Sequence, residues 1–99
     1  MPVVDTPLAV LLHGAAPNPF NPKTDIRFDL PRSSHVRVSV FTVDGRRVQT
    51  LADRTFGEGA QAVAWDGRSH SGQRMGSGTY IYVVEAGGQR QTGSMTMIK

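Results

Sequence analysis

Hydrophobic and polar positions alternate along much of the chain. In "DIRFDL" Ile26, Phe28 and Leu30 face one way and Asp25, Arg27 and Asp29 the other, which predicts a strand with one buried and one wet face. "VRVSVFTV" repeats the pattern, with Val36, Val38 and Val40 inward and Arg37 and Ser39 outward. "LAVLLH" (8–13) predicts a first short strand closed by Gly14, and residues 1–7 a linker before a domain spanning 8–99. "RRVQTL" reads as a strand anchored by Val48 and Leu51, and "AQAVAW" as another. "TYIYVVEA" is apolar on both faces, the pattern of a central, fully covered strand. "QRQTGSMTMIK" supplies the last strand.

Glycine punctuates these runs. Asp44-Gly45 and Asp66-Gly67 are tight-turn signals, because glycine tolerates the positive φ that hairpins need. "GEG" (57–59) and "GG" (87–88) mark two more turns, and "RSHSGQRMGSG" is a long polar loop reaching Gly78. Six or seven short strands with no helical period predict an all-β fold, an immunoglobulin-like two-sheet antiparallel sandwich. Trp65, Tyr80 and Tyr82 are its largest core candidates. The absence of cysteine excludes the Cys-Trp-Cys pattern of antibody domains, a disulfide framework and a zinc–thiolate site.

Ninety-nine residues make one domain with a modest core. The net charge of +3 comes from scattered arginines, with Arg46-Arg47 the only adjacent basic pair, so no phosphate-tracking run predicts nucleic-acid binding. "LAVLL" is too short for a signal peptide, is interrupted upstream by Asp5 and Pro7, and has no basic region before it. Nothing approaches the roughly 20 apolar residues of a membrane span.

Candidate chemistry is sparse. Asp66, His70 and Ser71 combine on paper into a catalytic set, but neighbours in one loop rarely hold the required geometry. Asp66, Ser69 and Ser71 echo a calcium loop without its other acids or its closing glutamate. "GQRMGSG" has no strand–glycine-loop–helix context for a phosphate. No catalytic, metal or cofactor site is therefore expected. The proline segment "APNPFNPKT" holds a P-x-x-P from Pro19 to Pro22, a pattern read by some partner domains. Asn18 and Asn21 both precede proline, which favours extended or turn geometry, and Phe20 between them is expected to plug one end of the sandwich.

The order and spacing of these motifs resemble the C-terminal sorting domain of type IX secretion and the related Ig-like domain of flagellar hook-capping proteins. The matching residues are Pro17-Asn18-Pro19-Phe20 before the sheet, Asp44-Gly45-Arg46 at the first turn, and Trp65-Asp66-Gly67 at the second. Gly78 and Tyr80 match the start of the penultimate strand, and Lys99 the terminal basic residue. The likeness runs from about Leu8 to Lys99. Where many sorting domains carry a lysine before the last apolar pair, this chain has Gly93 and Ser94.

The resemblance implies a non-catalytic, cofactor-free domain fused to a larger cargo protein. It would be read by an outer-membrane translocon after passage through the periplasm, then cut off by a surface sorting protease, leaving the cargo at the surface or outside the cell. A last strand with an open edge and tail makes Ser94, Met95, Thr96, Met97, Ile98 and Lys99 the expected recognition segment. Two other readings are a passive Ig-like spacer or assembly module and a carbohydrate-binding module.

Overall fold

The computed structural model describes residues 10–99. Its strands are β1 (Leu11–Ala16), β2 (Thr24–Leu30), β3 (Ser34–Thr42), β4 (Arg47–Phe56), β5 (Gly59–Trp65), β6 (Gly78–Ala86) and β7 (Gln89–Met97). They form two antiparallel sheets, ordered β1-β2-β5 and β4-β3-β6-β7. This is the expected Ig-like sandwich. Its fourth strand stays on the larger sheet beside β3, instead of joining the smaller sheet as in constant-type immunoglobulin domains.

The alternating residues supply the core. Ile26, Phe28 and Leu30 of β2 face Val36, Val38 and Val40 of β3, joined by Val63, Tyr80, Tyr82, Val84 and Met95, all buried. Cross-strand pairs hold the wet faces, with His13 Nε2 3.0 Å from Asp29 on one sheet and Arg37 Nη2 3.0 Å from Glu85 on the other.

Three expectations need correction. The first strand runs from Leu11 through Gly14 to Ala16, with a register shift between Leu12 and Gly14, so Gly14 does not end it. The linker 1–7 and the first two residues of the expected strand 8–13 lie outside the described residues. Strand β6 is central within its sheet but not fully covered: Tyr80, Tyr82 and Val84 are buried on one face, while Ile81 and Glu85 on the other are half-buried. On that outer face Val83 stands opposite Ser39, and both are buried, the Ser39 hydroxyl without a hydrogen-bond partner among the described residues. The third is the "long polar loop", which is ordered as a small hairpin. Arg68 pairs with Arg74, Ser69 N donates to Gln73 O at 2.9 Å and Gly72 N to Ser69 O at 2.9 Å.

Two aromatic tips fix that loop. Trp65 Nε1 donates to Arg68 O at 2.9 Å at its start, and Tyr80 Oη to Gly76 O at 2.6 Å at its end. The rings themselves pack edge to face at 5.1 Å. Trp65→Ala is expected to lower the unfolding free energy by about 3–5 kcal/mol, because it leaves a cavity and frees the loop together. Urea unfolding checks this; a loss below about 1 kcal/mol would mean that the end of the sandwich holds without its indole.

Candidate functional site at the proline end of the sandwich

Residues singled out by sequence, though spread over most of the chain, gather at one end of the sandwich. The chain leaves β1 at Ala16 and crosses to the other sheet through Pro17–Phe20. Thr24, buried at the start of β2, donates its hydroxyl to Pro17 O at 2.7 Å and ties down the near side of the crossing. On the far side the segment pairs with β7. Phe20 N donates to Thr96 O and Ile98 N to Phe20 O, each at 2.9 Å, a parallel bridge that adds one residue to the larger sheet. Asn18 completes the seam, its Oδ1 accepting from Thr96 N at 2.9 Å and its Nδ2 donating to Ser94 O at 3.4 Å. The side chains of the two asparagines are therefore not equivalent: that of Asn18 reaches a strand 78 residues away.

This seam corrects the expectation of an open last edge. From Ser94 to Ile98 the outer main-chain groups of β7 are engaged by Asn18 and Phe20. Within the expected recognition segment, Met95 and Met97 are core residues, at 1% and 4% exposure. Ser94 and Lys99 are exposed, Thr96 is half-buried and Ile98 is 51% exposed. Lys99 N donates to Ser77 Oγ at 3.1 Å, holding the tail beside the start of β6.

Behind the seam lies an aromatic stack. Phe20, 2% exposed, sits 5.5 Å from the Trp65 ring, which in turn meets Tyr80. Gly67 is buried at φ +79°, and a Cβ there would come within 2.8 Å of Met97 Cε and 3.1 Å of Pro22 O. The Trp65-Asp66-Gly67 motif thus gives an indole to the stack, a turn-closing carboxylate that accepts from Arg68 N at 3.1 Å, and a side-chain-free surface for the tail. Gly78 and Tyr80 stand opposite Met97 and Met95. Asp44 and Gly45 lie apart, exposed in the β3–β4 turn. The Thr42 hydroxyl donated to the Asp44 carboxylate, helped by its own backbone N–H and by Arg46, holds the carboxyl below the usual carboxylate range despite some opposing desolvation.

The paper chemistry does not assemble. Among the described residues no hydrogen bond joins the His70 ring to Ser71 or Asp66. Asp66 serves its own turn, and the Ser69 and Ser71 hydroxyls bond each other at 2.9 Å.

Sequence reasoning did not find the reason for Gly93. It stands opposite Tyr82, and a Cβ there would overlap the Tyr82 Oη and Cζ and approach Cε2 to 2.7 Å. The phenol lies across the bare backbone, so position 93 accepts no side chain without moving a core ring. Gly93→Ala is expected to cost about 1–3 kcal/mol, as over-packing does. Tyr82→Val removes the ring, so the double variant should be more stable than the sum of the two losses. Urea unfolding of the four proteins reads the coupling; strictly additive losses would show that the contact does not govern position 93.

Residues 18–90 match the FlgD Ig-like domain family. No curated protein matches the sequence. Among solved structures the chain is similar to dimeric latent PorU from Porphyromonas gingivalis, with TM-score 0.74 and 22% identity, over 94% of this chain and 10% of that one. It is also similar to PorZ, an essential surface component of the type-IX secretion system of the same organism, with TM-score 0.59 and 18% identity over 93% and 11%. A third likeness is to the alkylpurine DNA glycosylase AlkC of Pseudomonas fluorescens, with TM-score 0.57 and 16% identity over 91% and 30%. At such identities these likenesses are of fold, and the chain spans about a tenth of the length of PorU or PorZ. The match over residues 18–90, on a sandwich of seven strands, makes this chain a member of the FlgD Ig-like domain family.

Proposed function

We propose that this Ig-like domain is a C-terminal sorting domain, a non-catalytic address that carries a larger fused cargo through the periplasm and across the outer membrane by type IX secretion. Its partners are the outer-membrane translocon and a surface protease that cuts the domain away, leaving the cargo at the surface or outside the cell. The observation that carries the reading is the placement of the tail. Ser94, Ile98 and Lys99 are presented on a surface braced by the leading proline motif, while Met95 and Met97 anchor the same strand in the core. A rigid strand with alternating exposed positions is a surface that a partner can read. The likeness to PorU and PorZ supports it at the level of fold. The family match equally supports a second reading, a passive Ig-like spacer or assembly module within an extracellular protein.

Fusing residues 1–99 to an exported reporter separates the two. A sorting domain delivers the reporter to the cell surface only when the translocon is present; delivery that ignores the translocon, or none at all, favours the spacer. Deleting Ser94–Lys99 would also remove Met95 and Met97 from the core, so substitution is the cleaner probe. The pair Ile98→Glu and Lys99→Glu is expected to leave the melting temperature within a few degrees, as surface changes do, yet to strand the reporter in the periplasm. Normal surface delivery of that folded variant would remove these two positions from the recognition surface.

A further inference from the structure

Arg46-Arg47 is the only adjacent basic pair in the sequence, and the sorting reading gives it no role. The structure puts it on the wall of a groove of about 490 Å³ between the β3–β4 turn and the 68–74 hairpin. The groove is built in by a bulge. Strand β4 shifts register between the partners of Val40 and Phe41, so that Val48 is extra to the ladder. The Val48 side chain enters the core, and its carbonyl accepts from His70 N at 2.9 Å. That bond holds the hairpin against β4 and fixes the width between them.

The groove is lined on one side by Arg46 and Arg47 and on the other by Ser69, His70, Ser71 and Gln73. Neither arginine has a carboxylate within salt-bridge distance among the described residues, whereas Arg27, Arg37 and Arg68 each do. Arg47 rests 5.9 Å from the Phe41 ring centroid, a contact that orients the guanidinium without neutralising it. Asp44 is the acid on the rim: its carboxylate accepts the Thr42 hydroxyl and attracts Arg46 from beyond salt-bridge distance, so it offsets part of the pair's charge. The similarly sized cavity at the opposite end also has an arginine outside any salt bridge, Arg90, but there two carboxylates line the wall, Asp53 beside His35 and Glu85 beside Arg37. The groove beside Arg46 therefore combines guanidinium donors that form no salt bridge among the described residues with hydroxyl and carboxamide groups that both donate and accept.

We propose that this groove binds an acidic sugar, its phosphate or carboxylate held by Arg46 and Arg47 and its hydroxyls by Ser69, Ser71 and Gln73. A neutral sugar lacks the group that the arginines select, and a bare anion leaves the hydroxyl side of the groove unused.

NMR titration of the folded 99-residue chain at low ionic strength tests this with four probes: glucose 1-phosphate, glucuronate, inorganic phosphate and glucose. Saturable shifts are expected at the amides of Arg46–Val48 and Ser69–Gln73 with either of the two acidic sugars, the stronger naming the preferred anion. Phosphate should bind more weakly and glucose not at all. Arg46→Gln with Arg47→Gln should weaken the acidic-sugar affinity by about tenfold, the loss expected on removing charge-assisted hydrogen bonds. Arg32→Gln with Arg90→Gln, an equal change of net charge elsewhere, should leave it unchanged. Unchanged melting of both double variants shows that folding is not the cause. No shifts at the groove, equal losses in both pairs, or phosphate binding as tightly as the acidic sugars would overturn the proposal.

Discussion

The seam between Asn18–Phe20 and Ser94–Ile98 is the contact on which this end of the molecule depends. It makes the chain cross from the smaller sheet to the larger one, and the crossing places Phe20 beside Trp65. Trp65 then meets Tyr80, and the polar tips of those two rings hold both ends of the 66–77 loop. The hydrogen bonds of the seam are each worth only about 1 kcal/mol net. Their larger effect is to set a register in which three aromatic side chains share one dry volume. Burial supplies most of the free energy, and the seam decides where it is gathered.

The parts of the fold legible in the sequence are those with a local period. Ile26, Phe28 and Leu30, and Val36, Val38 and Val40, declare their inner faces by alternation alone, and Asp44-Gly45 declares its turn by the conformation glycine allows. Contacts between distant segments leave no such period. Nothing near Asn18 signals that its carboxamide will meet Thr96, and nothing near Gly93 signals the Tyr82 ring above it. Ser39 reads as a wet position because it alternates with valines, yet it is buried, opposite the equally buried Val83. The loop from Arg68 to Arg74 was hidden for a different reason: its polar composition is that of solvent-exposed turns, while its order comes from bonds to Trp65, Tyr80 and Val48.

The last strand carries two demands at once, and the strand period separates them. Met95 and Met97 point into the sandwich, and Ser94 and Ile98 point away from it. Packing therefore constrains one set of positions and leaves the other to the surface, so a change at one need not disturb its neighbour. An Ig-like frame suits such a division, since function on these folds lies in surfaces grafted at the ends of a common core. Here the end that bears the tail also bears the basic groove, while the cavity at the far end holds the carboxylates of Asp53 and Glu85 beside His35 and Arg37.

The seam also imposes an order in time. Its two halves are separated by most of the chain, so a polypeptide still emerging from a ribosome or threading through a pore cannot close it until residue 98 is free. Until then Phe20 and the indole of Trp65 lack the strand that covers them, although the β1–β2 and β3–β4 neighbours can already pair. Contacts of such long sequence separation form late and slow the folding of β-sandwiches. The early segment at Asn18–Phe20 thus waits for the late one, and a closed seam is a physical record that the chain through Ile98 has arrived.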